Sequence, residues 1–388
     1  MSLIDHLLDA LSATGHMAWQ IGWSLILGFT LAAAIQALVS KEKIADVLPD
    51  DSPKTLAAAA GLGAASSSCS YAAVALARTL VGKGANFTSA IIFQLASTNL
   101  VLELGIILAL LIGWQFTLAE YAGGAVMIVL VAVGFRRLVS ARAVSTARDQ
   151  AARGLSGSME GHAAMDMSVS GESGFARRLL SSDGRTAVSH IFVMEWAAIL
   201  RDLAIGLLIA GAASAWIPDS FWQSIFISDH PTLAKIVDPL IGPVVAMLTF
   251  VCSIGNVPLA AVLWNGGISF GGVISFLFAD LLIIPILSIY RKYYGKAMML
   301  KLLGIFYLAA VLAGYAVDLA FGTLGLVPTG ERHANTGDAA ISWNYTTILN
   351  IIFGAIAALL VIRFLRTGGR RMLTMMGGEA GQPRQRAD

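Results

Sequence analysis

Residues 87–112 form an apolar stretch interrupted only by small hydroxyl and amide side chains and one acid, Glu103. About 20 apolar residues rising 1.5 Å each cover the hydrocarbon core of a bilayer, so this stretch is a membrane-spanning helix. Comparable stretches occur at 17–39, 118–135, 203–217, 268–290, 302–326 and 348–365. Two more, 55–81 and 236–264, are as long but carry polar residues in their middles. Barrel strands are only about ten alternating residues long. The chain is 57% hydrophobic and 13% charged, with mean hydropathy +0.74, against about 25% charged residues in soluble domains. The expected fold is an all-α polytopic membrane protein with about seven full spans and two interrupted segments, or nine spans.

The interruptions are Ser66-Ser67-Ser68-Cys69-Ser70-Tyr71 and Val251-Cys252-Ser253-Ile254-Gly255-Asn256-Val257-Pro258, and they hold the two cysteines of the chain. Two cysteines inside apolar segments exclude a disulfide framework and a cysteine-rich zinc module. The net charge of +2 says little; the placement of Lys and Arg says more. Residues 136–190 carry eight Arg and many Gly, Ser and Ala, and read as a flexible cytoplasmic loop. The expected organisation is a first transmembrane half at 17–135 with its break at 66–71, then the loop at 136–190. A second half follows at 191–326 with its break at 252–258, then an outer loop and last span at 327–365, and a basic cytoplasmic tail at 366–388.

Shifting the chain by 183 residues superposes Cys69-Ser70 on Cys252-Ser253, as well as Val74 on Val257, Leu80 on Leu263, Gly84 on Gly267, Phe87 on Phe270 and Phe93 on Phe276. Between residues 64 and 96 this gives 11 identities without a gap, which marks an internal repeat. The positive-inside rule orients the two copies. Arg136-Arg137, the loop, Arg291 to Lys301 and the tail belong on the cytoplasmic side, with the amino terminus outside. These assignments agree if each interrupted segment enters the membrane, breaks and returns. The first hairpin then opens inward and the second outward, the inverted-repeat plan of many secondary transporters. Kinked full spans are the alternative.

The same residues resemble a known family. Cys69-Ser70 with Leu76 and Gly82-Lys83-Gly84-Ala85, and Cys252-Ser253 with Val257-Pro258-Leu259 and Gly266-Gly267-Ile268-Ser269, are similar to the two signature repeats of the bacterial predicted-permease family that includes the ArsP-type organoarsenical exporters. The chain departs from that pattern at Ala75, where the second copy has Pro258. The resemblance implies two halves joined by a long cytoplasmic loop, and points toward thiol-reactive metalloids or soft metals as substrates.

Candidate chemistry gathers at the breaks. Ser66, Ser67, Ser68, Cys69, Ser70, Cys252, Ser253, Gly255, Asn256, Pro258 and Asn99 are expected along a substrate path. Cys69 and Cys252 are either soft ligands or small residues at tight breaks. Glu103 and Asp280 are intramembrane acids, functional by default and candidates for proton coupling, with a structural hydrogen-bonding role as the other reading. Asn99 and Gln94 are expected to bond across helices, and Arg78 to reach for the interface. His162, Met165, Asp166 and Met167 have metal-ligand side chains but lie in the loop. No phosphate-cradling loop and no paired-His zinc helix occurs, so the expectation is no enzyme and no cofactor. The expected function is a secondary active exporter of the bacterial cytoplasmic (inner) membrane, with a passive channel or an intramembrane enzyme as alternatives. The expected partners are the bilayer and a small solute or metal or metalloid ion, with no nucleic acid; a homo-oligomer is compatible with this.

Overall fold

A computed structural model describes residues 3–38, 41–68, 70–151, 175–216, 226, 230–249, 253–329, 332, 334, 343 and 345–370. The described residues form helices α1 (Leu3–Gln36), α2 (Lys41–Asp46), α3 (Pro53–Ser66), α4 (Ser70–Gly82), α5 (Phe87–Asn99), α6 (Leu102–Leu111), α7 (Trp114–Leu138), α8 (Ala141–Ala151), α9 (Phe175–Leu180) and α10 (Ser182–Trp216). The second half adds α11 (Pro231–Thr249), α12 (Ser253–Asn265), α13 (Phe270–Leu277), a 3-10 turn at Asp280–Leu282, α14 (Ile284–Thr323) and α15 (Tyr345–Arg366). Among the described residues, six stretches are long and apolar enough to cross a membrane: His6–Gln36, Phe87–Leu111, Trp114–Leu138, Thr232–Thr249, Ile284–Thr323 and Tyr345–Arg366. Leu203–Ala213 in α10 is a shorter apolar stretch. The chain is therefore a polytopic helical protein, as its sequence predicts.

The first interrupted segment is a re-entrant hairpin. Helices α3 and α5 start side by side: the Asn86 amide donates to Leu48 O at 2.7 Å and Ser89 Oγ to Asp50 O at 2.5 Å. They also end side by side, with the Ser68 amide donating to Ser97 O at 2.9 Å. Two helices that run parallel from a shared start require the intervening α4 to return to that start. Local sequence sets the ends. Ser52 caps α3 ahead of Pro53, and Asn86 caps α5 by accepting from the Thr88 amide at 2.9 Å. Helix α3 stops at Ser66, and Ser67 adopts a left-handed φ of 35° before the chain turns back.

The second half repeats this arrangement. The Ser269 amide donates to Asp238 Oδ2 at 2.6 Å, and Gly242 packs against Gly272 and Ser275, so α11 and α13 also run parallel. Ser269, the repeat equivalent of Asn86, caps α13 through the Gly272 amide. The break precedes Ser253: Gly255, Asn256 and Pro258 lie inside α12. This corrects the expected break at 252–258. Pro258 sits in the second turn of α12, where its missing N–H leaves Ile254 O without the usual helical donor.

The two hairpins open at opposite ends of the molecule. Phe116, at the start of α7, packs on Trp264 and Phe270 at 5.0 and 4.8 Å, beside the opening of the second hairpin. Phe135, at the end of α7, packs on Phe87 at 5.9 Å, beside the opening of the first. They are 19 positions apart along the helix, about 28 Å at 1.5 Å per residue, close to the thickness of a bilayer core.

The repeat extends further than its identities. Helices α5 and α6 cross the molecule with a break at Leu100–Val101, and α13 and the start of α14 cross it with a break at 278–283. Each continuous span expected at 87–112 and 268–290 is thus broken at mid-depth. The chain then reverses at Gly113 (φ 132°) in one half and at Gly295 (φ 87°) in the other, conformations open to glycine. Beyond Gly295, α14 runs antiparallel to α7, with Ile305 against Gly134 and Val317 against Gly123. Helices α1, α10 and α15 flank this core: Gly211 meets Ala10 and Thr14, and Asn350 Nδ2 donates to Trp19 O at 2.7 Å.

Basic residues cluster at the end where the first hairpin opens. Arg136 pairs with Asp51 at 2.6 Å, Arg148 donates to Ala85 O at 2.8 Å, and Lys301 Nζ donates to Leu138 O at 2.5 Å. Arg78 donates to Ala151 O at 2.8 Å and stacks over Tyr293 at 4.5 Å, so it docks α8 rather than reaching for the interface. The stretch expected to be a flexible loop contains the end of α7, α8, α9 and the start of α10 among its described residues.

Candidate functional site

Asp280 is the centre of the site. It lies in the 3-10 turn that breaks the second crossing, and it is fully buried. Ser70 Oγ donates to its Oδ2 at 2.8 Å, Ser253 Oγ to the same oxygen at 2.9 Å, and Asn99 Nδ2 to Oδ1 at 3.2 Å. Ser70 and Ser253 are repeat equivalents, and their hydroxyl oxygens are 3.4 Å apart. They are also the first residues of α4 and α12. Two half-helices that enter from opposite ends therefore point their positive termini at one carboxyl, an arrangement that stabilises negative charge. Asn99 comes from the break in the first crossing, so all four interruptions of the two repeats meet near Asp280.

Glu103 belongs to a separate cluster. Ser67 Oγ donates to its carboxylate. Gly28 of α1 makes room for it, since a Cβ there would fall 2.4 Å from Glu103 Cβ. Nearby, Gln36 Nε2 donates to Ser66 O at 2.9 Å and to Glu195 Oε1 at 3.2 Å. The serines of the first break are thus divided: Ser66 and Ser67 face α1 and α6, and Ser70 faces Asp280.

Among the other expected path residues, Gly255, Asn256, Pro258 and Ser68 are buried. Asn256 accepts from Thr249 Oγ1 at 3.2 Å, and its amide nitrogen has no partner among the described residues. Gln94 donates to Tyr290 across helices, as its position predicts. Cys69, Cys252, His162, Met165, Asp166 and Met167 lie outside the described residues, among which no cluster of three metal-ligating acidic, His or Cys side chains occurs.

Sequence reasoning missed Glu120. It lies in α7, is fully buried, and neither carboxyl oxygen has a hydrogen-bond partner among the described residues. An acid two turns into an apolar span was the available signal. A cleft of about 470 Å³ lies elsewhere, at the opening of the first hairpin, between Asp51, Asn86, Thr88, Phe135, Arg136 and Arg148.

A Mycobacterium tuberculosis protein named "Putative permease Rv2963" is 63% identical over 346 residues, which cover 89% of this chain and 85% of that protein. No solved structure matches the chain. The profile of the ArsP_1 family, described as predicted permease, matches residues 6–319, from the first helix through α14 and so across both hairpins. The chain belongs to the ArsP_1 predicted-permease family.

Proposed function

We propose that this permease is a secondary active exporter of a thiol-reactive metalloid or soft metal ion, working by alternating access between its two repeats. The observation that carries this reading is the meeting of Ser70, Ser253 and Asp280 where hairpins from opposite ends touch. Broken helices expose backbone groups that a membrane tolerates only when they are buried in protein or line a cavity. In inverted-repeat transporters that cavity is the substrate site. A cysteine precedes each of the two touching serines in the sequence. A trivalent arsenical with one organic group has two positions left for sulfur, and two thiols would fill both. Basic residues gather at the end bearing Arg136 and Lys301, which supports a reading with that end, the long loop and the carboxyl terminus on the cytoplasmic side by the positive-inside rule. The membrane is then the bacterial inner membrane.

The test is resistance and flux. Cells lacking their own arsenical exporters and expressing the protein are challenged with methylarsenite, copper, silver and zinc. Protection against at least one is expected, with loss of that protection in Cys69→Ser and in Cys252→Ser. Full protection by both variants contradicts the thiol-ligand part of the proposal. In proteoliposomes, downhill flux that ignores a pH gradient would make the protein a channel.

A further inference from the structure

We propose that Glu120 carries the proton that drives transport; this rests on the exporter reading above and names its coupling residue. Glu120 is fully buried, and both of its carboxyl oxygens lack a hydrogen-bond partner among the described residues. Asp280, by contrast, receives three hydrogen bonds. A carboxylate buried with no donor costs several kcal/mol, so a native chain keeps one there only if something transient completes it.

The place of Glu120 in the fold supports a role at the breaks. One turn on, Gly123 and Gly124 share its face of α7. The space a Cβ would take at Gly123 is bordered by Phe278, and at Gly124 by Leu100. Phe278 and Leu100 stand at the breaks of the second and first crossings. One turn back, Phe116 packs on Trp264 and Phe270. Glu120 thus sits on the helix face that covers both interruptions.

Among the acids and tyrosines on elements packed against α7, Glu103 is engaged by Ser67, Tyr290 by Gln94, and Asp318 by Lys235 at 3.9 Å. A metal ion would need several oxygens around it; one turn away on this face Phe116, Gly123 and Gly124 offer none, and the Thr117 hydroxyl is engaged by Gly105 O at 2.7 Å. A proton needs only the carboxyl. The step is a reversible ionisation: the Glu120 O–H bond breaks when the site opens to one side, the proton leaves to water there, and the bond re-forms with a proton from water on the other side.

The full-length protein in liposomes tests this in two ways. Infrared difference spectra across a pH titration should show a buried carboxylic-acid carbonyl band that is lost in Glu120→Gln. An unchanged band in that variant overturns the proposal. Vesicles given external methylarsenite and a pH gradient of one unit should accumulate it about tenfold for a one-proton exchange. Glu120→Gln should fall to the level seen without a gradient, and Glu120→Asp should keep part of the drive. Accumulation by Glu120→Gln equal to the parent's, or accumulation driven by a sodium gradient at equal pH, overturns the proposal. If the parent protein moves no methylarsenite, the substrate reading fails, and the infrared comparison still decides Glu120.

Discussion

Replacing Asp280 is expected to remove transport altogether. Asp280→Ala leaves Ser70, Ser253 and Asn99 without their acceptor in a fully buried site. Unpartnered buried donors cost about 1–3 kcal/mol each, and relief from burying a carboxyl offsets part of that. A net loss of about 3 kcal/mol in detergent unfolding is expected, together with loss of flux. Asp280→Asn is the sharper variant. It keeps the shape and one acceptor oxygen, so stability should stay within about 1 kcal/mol of the parent. Transport should still fall about a hundredfold or more, the equivalent of about 3 kcal/mol at the barrier, because the amide cannot supply the charge toward which two helix termini point. Parent-like flux by Asp280→Asn would remove the carboxyl from the mechanism.

A large, purely structural effect is expected at Gly314. It crosses Gly271 so closely that a Cβ on Gly314 would lie 2.6 Å from Gly271 O, and a Cβ on Gly271 would lie 2.7 Å from Gly314 O. Both obstacles are backbone, so neither can step aside by changing rotamer. Gly314→Val must therefore push α13 away from α14, at about 1–3 kcal/mol or more by the usual cost of overpacking. The crossing lies between Phe270, at the second hairpin's opening, and the Asp280 turn, so flux should fall along with the melting temperature. Gly124→Ala is the control. Its nearest obstacle is Leu100 Cδ2 at 2.4 Å, the end of a flexible side chain, and its cost should be smaller. Equal melting temperatures for the two variants would show that the backbone crossing is looser than described.

The sequence makes the hairpins readable because the repeat is densest there. Cys-Ser, a Gly turn and a Phe recur at one spacing, and charge placement favours opposed orientations. Beyond residue 96 the repeat continues in shape with few identities, since apolar helix packing accepts many side chains of similar volume. The break at Leu100–Val101 is hidden for a related reason. It contains neither Gly nor Pro, and nothing local distinguishes it from continuing helix. In the second half Pro285, in the first turn of α14, marks the restart. Pro258 misleads in the other direction by sitting inside a helix. The serine cluster looks like one polar patch in the sequence. A chain reversal between Ser67 and Ser70 turns the two side chains toward different acids, and only the fold decides which. Glu120 is missed because burial on one face of α7 depends on Phe116, Phe278 and Leu100, brought together from three parts of the chain.

The central claim is that two hairpins enter from opposite faces and meet at Ser70 and Ser253. It is tested most directly by single cysteines, in a background free of Cys69 and Cys252, at two exposed positions. Lys83→Cys lies in the turn at the first hairpin's opening, and Thr232→Cys lies at the start of α11, toward the second hairpin's opening. An impermeant thiol reagent applied to intact cells should label Thr232→Cys and spare Lys83→Cys, and inverted membrane vesicles should give the reverse. Labelling of both positions from the same face would contradict the opposed-hairpin account.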